Sequence, residues 1–193
     1  DVWAARISYV GESGWEIYFN NNKDDGLALY DSLLEVGVVP VGIETYANSR
    51  RLEKSFRLQG ADLETEYTAI EAAIQRPLVK EADFHGKAAH LAQREEDPCA
   101  ILCTMTLDDL NVSGKTRYPV GISPIIDPAT GEVPIDSKGR RSYTTGMSYC
   151  PSLKKFVVMG YLPKEIAIQG KSLLIEYFNE DGDGLYPMTV QIV

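Results

Sequence analysis

The sequence predicts an α+β fold that finishes in a small all-β barrel. Two β-rich runs flank a Gly-Glu-Ser-Gly turn at the start, and helical and strand-like stretches then follow one another up to about residue 97. After Pro98 the chain breaks into short β-rich runs separated by Gly, Pro, Asn and Asp turns. The expected division is therefore 1–97 and 98–193.

Taken in order, residues 3–10 and 15–19 read as strands joined by a turn at 11–14, with aromatic and β-branched residues on both sides. "KDDGLALYDSLLEVG" places Leu27, Leu29, Tyr30, Leu33 and Leu34 at helical spacing, and Gly37 is a natural stop. "VVPVGI" predicts a short buried strand and "ETYANSRRLEKSF" a second helix. Residues 56–80 loosen into a polar loop with a short helical piece. "FHGKAAHLAQREED" predicts a helix closed by Asp97-Pro98, where proline cannot continue it, and "REED" is its solvated end. The barrel runs are "AILCTMTL", "KKFVVMGYL", "KSLLIEYF" and "YPMTVQIV".

Composition narrows the function classes. A net charge of −9 argues against a nucleic-acid groove, which needs clustered Lys and Arg. No apolar run approaches the ~18 residues of a membrane span, so the expectation is a cytoplasmic protein, or a mitochondrial matrix one in a eukaryote. Three cysteines without CxxC spacing fit neither a disulfide framework nor a zinc knuckle, and Cys99 and Cys103 read as small core residues. His85 and His90 are five apart and do not share a helical face, so no metal is assigned. Residues 179–184 resemble a calcium loop, but the twelfth position is Val190 where a bidentate Glu is required; a hairpin turn is the better reading. Ser113, Gly114, Lys115 and Thr116 read as a plain turn. The chain opens at Asp1 directly into strand composition, as a piece of something longer would.

The opening hairpin carries the candidate chemistry. Period two along 15–19 puts Glu16 and Tyr18 on one face and Trp15, Ile17 and Phe19 on the other, with Trp15 and Phe19 expected in the core. A carboxylate accepts from a ligand edge with two parallel N–H donors, as a pterin ring offers, and Tyr9 could border such a ring. From the residues alone, an exposed hairpin with solvated acids stays open beside that reading.

Five motifs in order resemble the glycine-cleavage T-protein (aminomethyltransferase) superfamily of tetrahydrofolate-dependent proteins. They are "SYVGESGWEIY", "RRLEKSFRLQGADL", "TAIEAAI", "ADFHGKAA" and "YTTGMSYCPSLKK". "ETYANSRRLEKSFRLQG" looks closest to the folate-binding half of dimethylglycine and sarcosine dehydrogenases, which have Asn where Asn48 stands; the aminomethyltransferases have a folate-binding Arg there. The resemblance implies folate contacts at Tyr9, Glu16 and Asn48, with Glu12 lining the same mouth. It implies tetrahydrofolate as cofactor and a small methylated amine as substrate, the one-carbon unit passing as an iminium onto N5 and N10 of the folate. It assigns no catalytic residue here, because the family's catalytic aspartate lies in a part before Asp1. In the dehydrogenases an FAD domain would precede that. Self-association, or contact with the missing N-terminal half, is the expected partner behaviour. Alternatives are a free-standing aminomethyl transferase or O- or S-demethylase, and a non-catalytic folate-binding scaffold. The Lys-Gly-Cys-Tyr-x-Gly-Gln-Glu signature of such scaffolds does not occur. Arg50 and Arg51 are read either as structural ion pairs or as contacts to a glutamate tail.

Overall fold

The computed structural model describes residues 2–20, 22–107, 122–179 and 182–192. Strands β1 (Val2–Ala5) and β2 (Glu16–Phe19) pair antiparallel, with Trp3 opposite Tyr18 and Ala5 opposite Glu16. The first strand stops well short of residue 10. Past Ala5 the chain leaves the ladder, and the Tyr9 hydroxyl donates to the Arg57 carbonyl at 3.0 Å.

Helix α1 (Lys23–Glu35) forms as predicted. Asn22 caps it by accepting from the Asp24 N–H at 3.0 Å, and Asp24 and Asp25 complement the dipole in its first turn. Gly37, at φ +88°, closes it in a Schellman motif: its N–H donates to Leu34 O at 2.9 Å, and the Val38 N–H to Leu33 O at 3.1 Å.

Two expectations fail here. "VVPVGI" is exposed and irregular up to Gly42, with Ile43 already helical; Val39, Val41 and Ile43 are at 78%, 70% and 74% exposure. A strand exists only through a neighbour's hydrogen bonds, and among the described residues no strand edge lies beside this one. Trp15 and Phe19 are 63% and 46% exposed rather than core, because the two-stranded sheet has no full second layer; α1 only brings Gly26 against the Phe19 ring.

The second helix is built in two parts, a π-helical segment Thr45–Arg50 followed by one α-turn, α2 (Arg51–Glu53). It delivers Arg51 and Leu52 into the interior, each 1% exposed. Helix α3 (Lys87–Glu95) follows, and "REED" lies at its solvated end. Among the described residues no helix is long and apolar enough to cross a membrane.

The remaining strands are β3 (Ala100–Leu107), β4 (Ile125–Ile126), β5 (Thr144–Cys150), β6 (Lys155–Pro163), β7 (Ser172–Asn179) and β8 (Gly182–Ile192). They form one antiparallel sheet in the order β4-β7-β8-β3-β6-β5. The sheet curls into a half-barrel whose edges are bridged at Pro124 and Tyr143. β7 and β8 make the hairpin expected at 179–184, Asn179 standing opposite Gly182. β4 and β5 are not among the predicted runs: β4 is two residues long, and β5 carries a register shift between Thr144 and Gly146. Ser113, Gly114, Lys115 and Thr116 lie outside the described residues.

Alternation sorts the strand residues into two cores. Cys103, Met105 and Leu107 of β3 and Phe156, Val158 and Leu162 of β6 fill the barrel with Ile125, Leu173, Ile175, Met188 and Val190. Their neighbours Leu102, Val157, Met159 and Tyr161 face the other way and pack on Leu52 and Ala72. The sheet is thus buried on both faces around β6, which explains the unbroken apolar character of "FVVMGYL". Cys103 and Cys150 are fully buried and Cys99 partly so; burial pushes the Cys103 and Cys150 thiols up to about 12, which keeps them protonated and inert.

Gly160 marks the tightest point of this packing. A Cβ there would meet the Tyr143 carbonyl oxygen at 2.7 Å and Ile125 Cδ1 at 2.9 Å. Gly160→Ala should therefore lower stability by about 1–3 kcal/mol, read as a reduced urea midpoint at unchanged m-value.

Candidate functional site

Hairpin pleating sets the site's first element. The Tyr18 hydroxyl donates to Glu16 Oε2 at 2.5 Å, so both side chains share a face, as period two predicts. Trp3 joins them from β1: its ring lies 4.8 Å from that of Tyr18, at 46°. Ala5, opposite Glu16, leaves the carboxylate uncrowded on that side. The result is an exposed aromatic wall ending in an acid. At the strand ends, Val2, Trp3, Tyr18, Phe19 and Asn20 line a cleft of about 390 Å³. Donation to Glu16 holds the Tyr18 phenol above its ordinary pKa.

Tyr9 stands on a second aromatic group. Its ring lies 5.4 Å from Tyr46 and 6.3 Å from Phe56, the latter nearly parallel at 23°. Burial raises its pKa, with the charges of Asp62 and Tyr46 adding to the rise and Arg51 opposing it. The fold thus brings Tyr9 against Tyr46 and Phe56, and Glu16 against Tyr18 and Trp3.

The other two sequence candidates are already engaged. Glu12 pairs with Arg50 at 2.5 Å while remaining 62% exposed. Arg50 also donates to Glu53 and to Ser152 Oγ, each at 2.7 Å, so this cluster ties the opening turn to the turn after β5. Asn48 Nδ2 donates to Glu44 Oε2 at 2.7 Å. Arg50 and Arg51 both serve structural ion pairs. Trp3 and Tyr46, beside Tyr18 and Tyr9, are not singled out by the sequence, which places only Tyr18 on the Glu16 face. The hairpin register that sets Trp3 against Tyr18 follows once the turn centre is known; Tyr46 carries no such signal.

The interior holds two buried charge clusters. Arg51 donates to Asp62, to the Ala47 carbonyl at 2.8 Å and to the Phe56 carbonyl at 3.1 Å; Asp62 also accepts from the Thr145 hydroxyl. Gly146 leaves room for that guanidinium, since a Cβ there would lie 2.7 Å from Arg51 Nη2. In the second cluster, Arg140 bonds Glu71 at 2.5 Å and Asp136 at 2.7 Å. Its guanidinium lies 4.2 Å over the Tyr67 ring, which stacks on Tyr161 at 3.5 Å. Thr68 and Glu71 form a reciprocal capping box, Thr68 N–H to Glu71 at 2.9 Å and Glu71 N–H to Thr68 at 3.1 Å. Among the described residues no group of three His, Cys, Asp or Glu side chains is arranged to hold a metal ion.

Residues 1–81 match the family described as GCVT N-terminal domain. The chain is 31% identical over 198 residues to mitochondrial dimethylglycine dehydrogenase of Rattus norvegicus, covering 98% of this chain and 20% of that protein. It is 30% identical over 176 residues to the aminomethyltransferase of Thermosynechococcus vestitus, covering 91% of this chain and 43% of that one. The fold is that of glycine cleavage system aminomethyltransferase T from Bartonella henselae, with TM-score 0.75 at 23% identity over 100% of this chain and 49% of the other. The chain thus spans about a fifth to a half of the length of the proteins it matches.

Proposed function

We propose, for a chain that belongs to the glycine-cleavage T-protein superfamily and is homologous to dimethylglycine dehydrogenase and aminomethyltransferase, that it is the tetrahydrofolate-binding C-terminal portion of an amine-demethylating one-carbon transferase. The folate-binding part would span 1–97 and the barrel 98–193. The substrate class is a small N-methylated or aminomethylated amine of the dimethylglycine or sarcosine type, with an FAD domain upstream if the parent protein is a dehydrogenase. The compartment is the cytosol or the mitochondrial matrix; the likeness to mitochondrial dimethylglycine dehydrogenase favours the latter.

The observation that carries this reading is the Glu16 face. A free carboxylate oxygen beside an aromatic wall suits a flat heterocycle that presents paired N–H donors. Tetrahydrofolate, when bound, supplies the nitrogens that accept the one-carbon unit. Glu16 would hold the ring edge, Tyr18 would fix the Glu16 rotamer, and Tyr9 with Tyr46 would border the ring. Glu12 and Asn48 would line the mouth through the bonds they already make to Arg50 and Glu44. The protein's share of the work is positioning and exclusion of water rather than covalent chemistry. The exposed apolar residues of the first half, Val36, Val39, Val41 and Ile43 among them, would be covered by further protein or by a second copy.

Calorimetric titration of tetrahydrofolate tests this directly. Saturable binding is expected, with Glu16→Gln weakening it at least tenfold, about 1.4 kcal/mol. Equal affinity in both proteins would remove Glu16 from the site; no binding to the wild-type chain would remove the folate reading altogether.

A further inference from the structure

A cleft far from these features in sequence has a distinct chemical character. Ala69, Ile74, Leu78, Val79 and Phe84 line about 390 Å³ of space together with Gln75, Arg76, Lys80 and His90. That volume lies in the range of about 300–1,000 Å³ typical of small-molecule sites. No acidic residue lines it, in a chain whose net charge is −9. Arg76 and Lys80 have no ion-pair partner among the described residues. Lys80 instead sits 5.0 Å over the Phe84 ring. Glu81 and Asp83 belong to the same loop but do not line the space. The walls are held in place: Arg94 of α3 donates to the carbonyls of Arg76 and Pro77 at 2.9 and 3.0 Å, pinning the loop across the helix that carries His90.

We propose that this cleft is a second ligand site, for a small amphipathic anion with an apolar body and a carboxylate head. Unpaired cations above an apolar floor attract an anion that brings its own apolar surface, and the planar Arg76 fork suits the two oxygens of a carboxylate. His90 supplies a further N–H donor or acceptor at the rim. Nothing in this reading depends on the folate site.

Octanoate is the probe, with octanol as the neutral counterpart of equal body. Calorimetry on the 193-residue chain should give saturable octanoate binding at least fivefold tighter than octanol. Arg76→Gln and Lys80→Gln should each weaken octanoate several-fold, with unfolding temperatures unchanged because both side chains stand at the surface. The chain has two histidines, so imidazole NMR locates the event: His90 resonances should shift on titration and those of His85 should not. Equal affinity for octanoate and octanol, variants that bind like wild type, or unmoved His90 resonances would each overturn the proposal.

Discussion

Asp62→Ala is expected to lower stability by about 3–5 kcal/mol, and the unfolding temperature by about 6–20 °C for a chain of this size. Asp62 is fully buried, and Arg51 is 1% exposed beside it. Removing the carboxylate strands a buried guanidinium and also deprives the Thr145 hydroxyl and the Leu58 N–H, bonded at 2.8 Å, of their acceptor. Three separated stretches meet here: Arg51 from the second helix, Asp62 from the loop after it, and Thr145 with Gly146 from β5. Chemical unfolding of Asp62→Ala, Arg51→Met and the double variant Arg51→Met/Asp62→Leu gives the check. The double variant should retain more stability than the sum of the single losses, because replacing both charges leaves neither one buried alone. A single-variant loss under about 1 kcal/mol would contradict this account of the lock.

Glu71→Gln should cost about 2–3 kcal/mol at pH 7 and flatten the acid limb of the stability profile. Burial by itself would raise the Glu71 carboxyl, but hydrogen bonds from Arg140 and the Thr68 N–H, with the charges of Arg140 and Lys138, outweigh it and hold the group below its ordinary value. A depressed folded pKa contributes stability that is complete above the ordinary glutamate value of about 4.3 and is lost as pH falls through the lower folded value. The wild-type urea midpoint should therefore fall as pH drops below about 4.3, and the Gln variant, with nothing to protonate there, should fall less steeply. Arg140 is raised in turn: burial opposes its charge, yet its bonds to Glu71 and Asp136 prevail. Parallel acid limbs in the two proteins would show that Glu71 is not the group responsible.

Both predictions change the meaning of the sequence motifs. "RRLEKSFRLQGADL", "TAIEAAI" and "YTTGMSYCPSLKK" carry the resemblance to folate-dependent proteins, yet their charged and hydroxylated residues are largely spent on internal locks. Arg51 and Asp62, Thr68 and Glu71, and Thr145 hold the second helix and its following loop onto the outer face of the half-barrel. Motif residues at buried positions report packing, whereas "SYVGESGWEIY" exposes Trp15 and Tyr18 beside the partly exposed Glu16, with Tyr9 half-buried.

Local pattern was sufficient wherever one segment satisfies its own hydrogen bonds or a single alternation decides its face. Helix α1, its Gly37 stop, the strands β3, β6, β7 and β8, and the pairing of Glu16 with Tyr18 on one face are all of this kind. Where the outcome depends on what lies alongside, the sequence was silent or misleading. "VVPVGI" has strand composition but no edge to pair with, and Trp15 and Phe19 have core composition but no layer above them. β5 pairs with β6 and also lies against the second helix, nearly a hundred residues away in the chain, where Gly146 leaves room for the Arg51 guanidinium. The acid edge of the hairpin was legible in the sequence, since period two is a property of the strand alone. Asn48 is occupied by Glu44 one helical turn away, a local pairing, whereas the engagement of Glu12 by Arg50, 38 residues on in the chain, was decided by tertiary structure, because only the folded chain brings those two charges together.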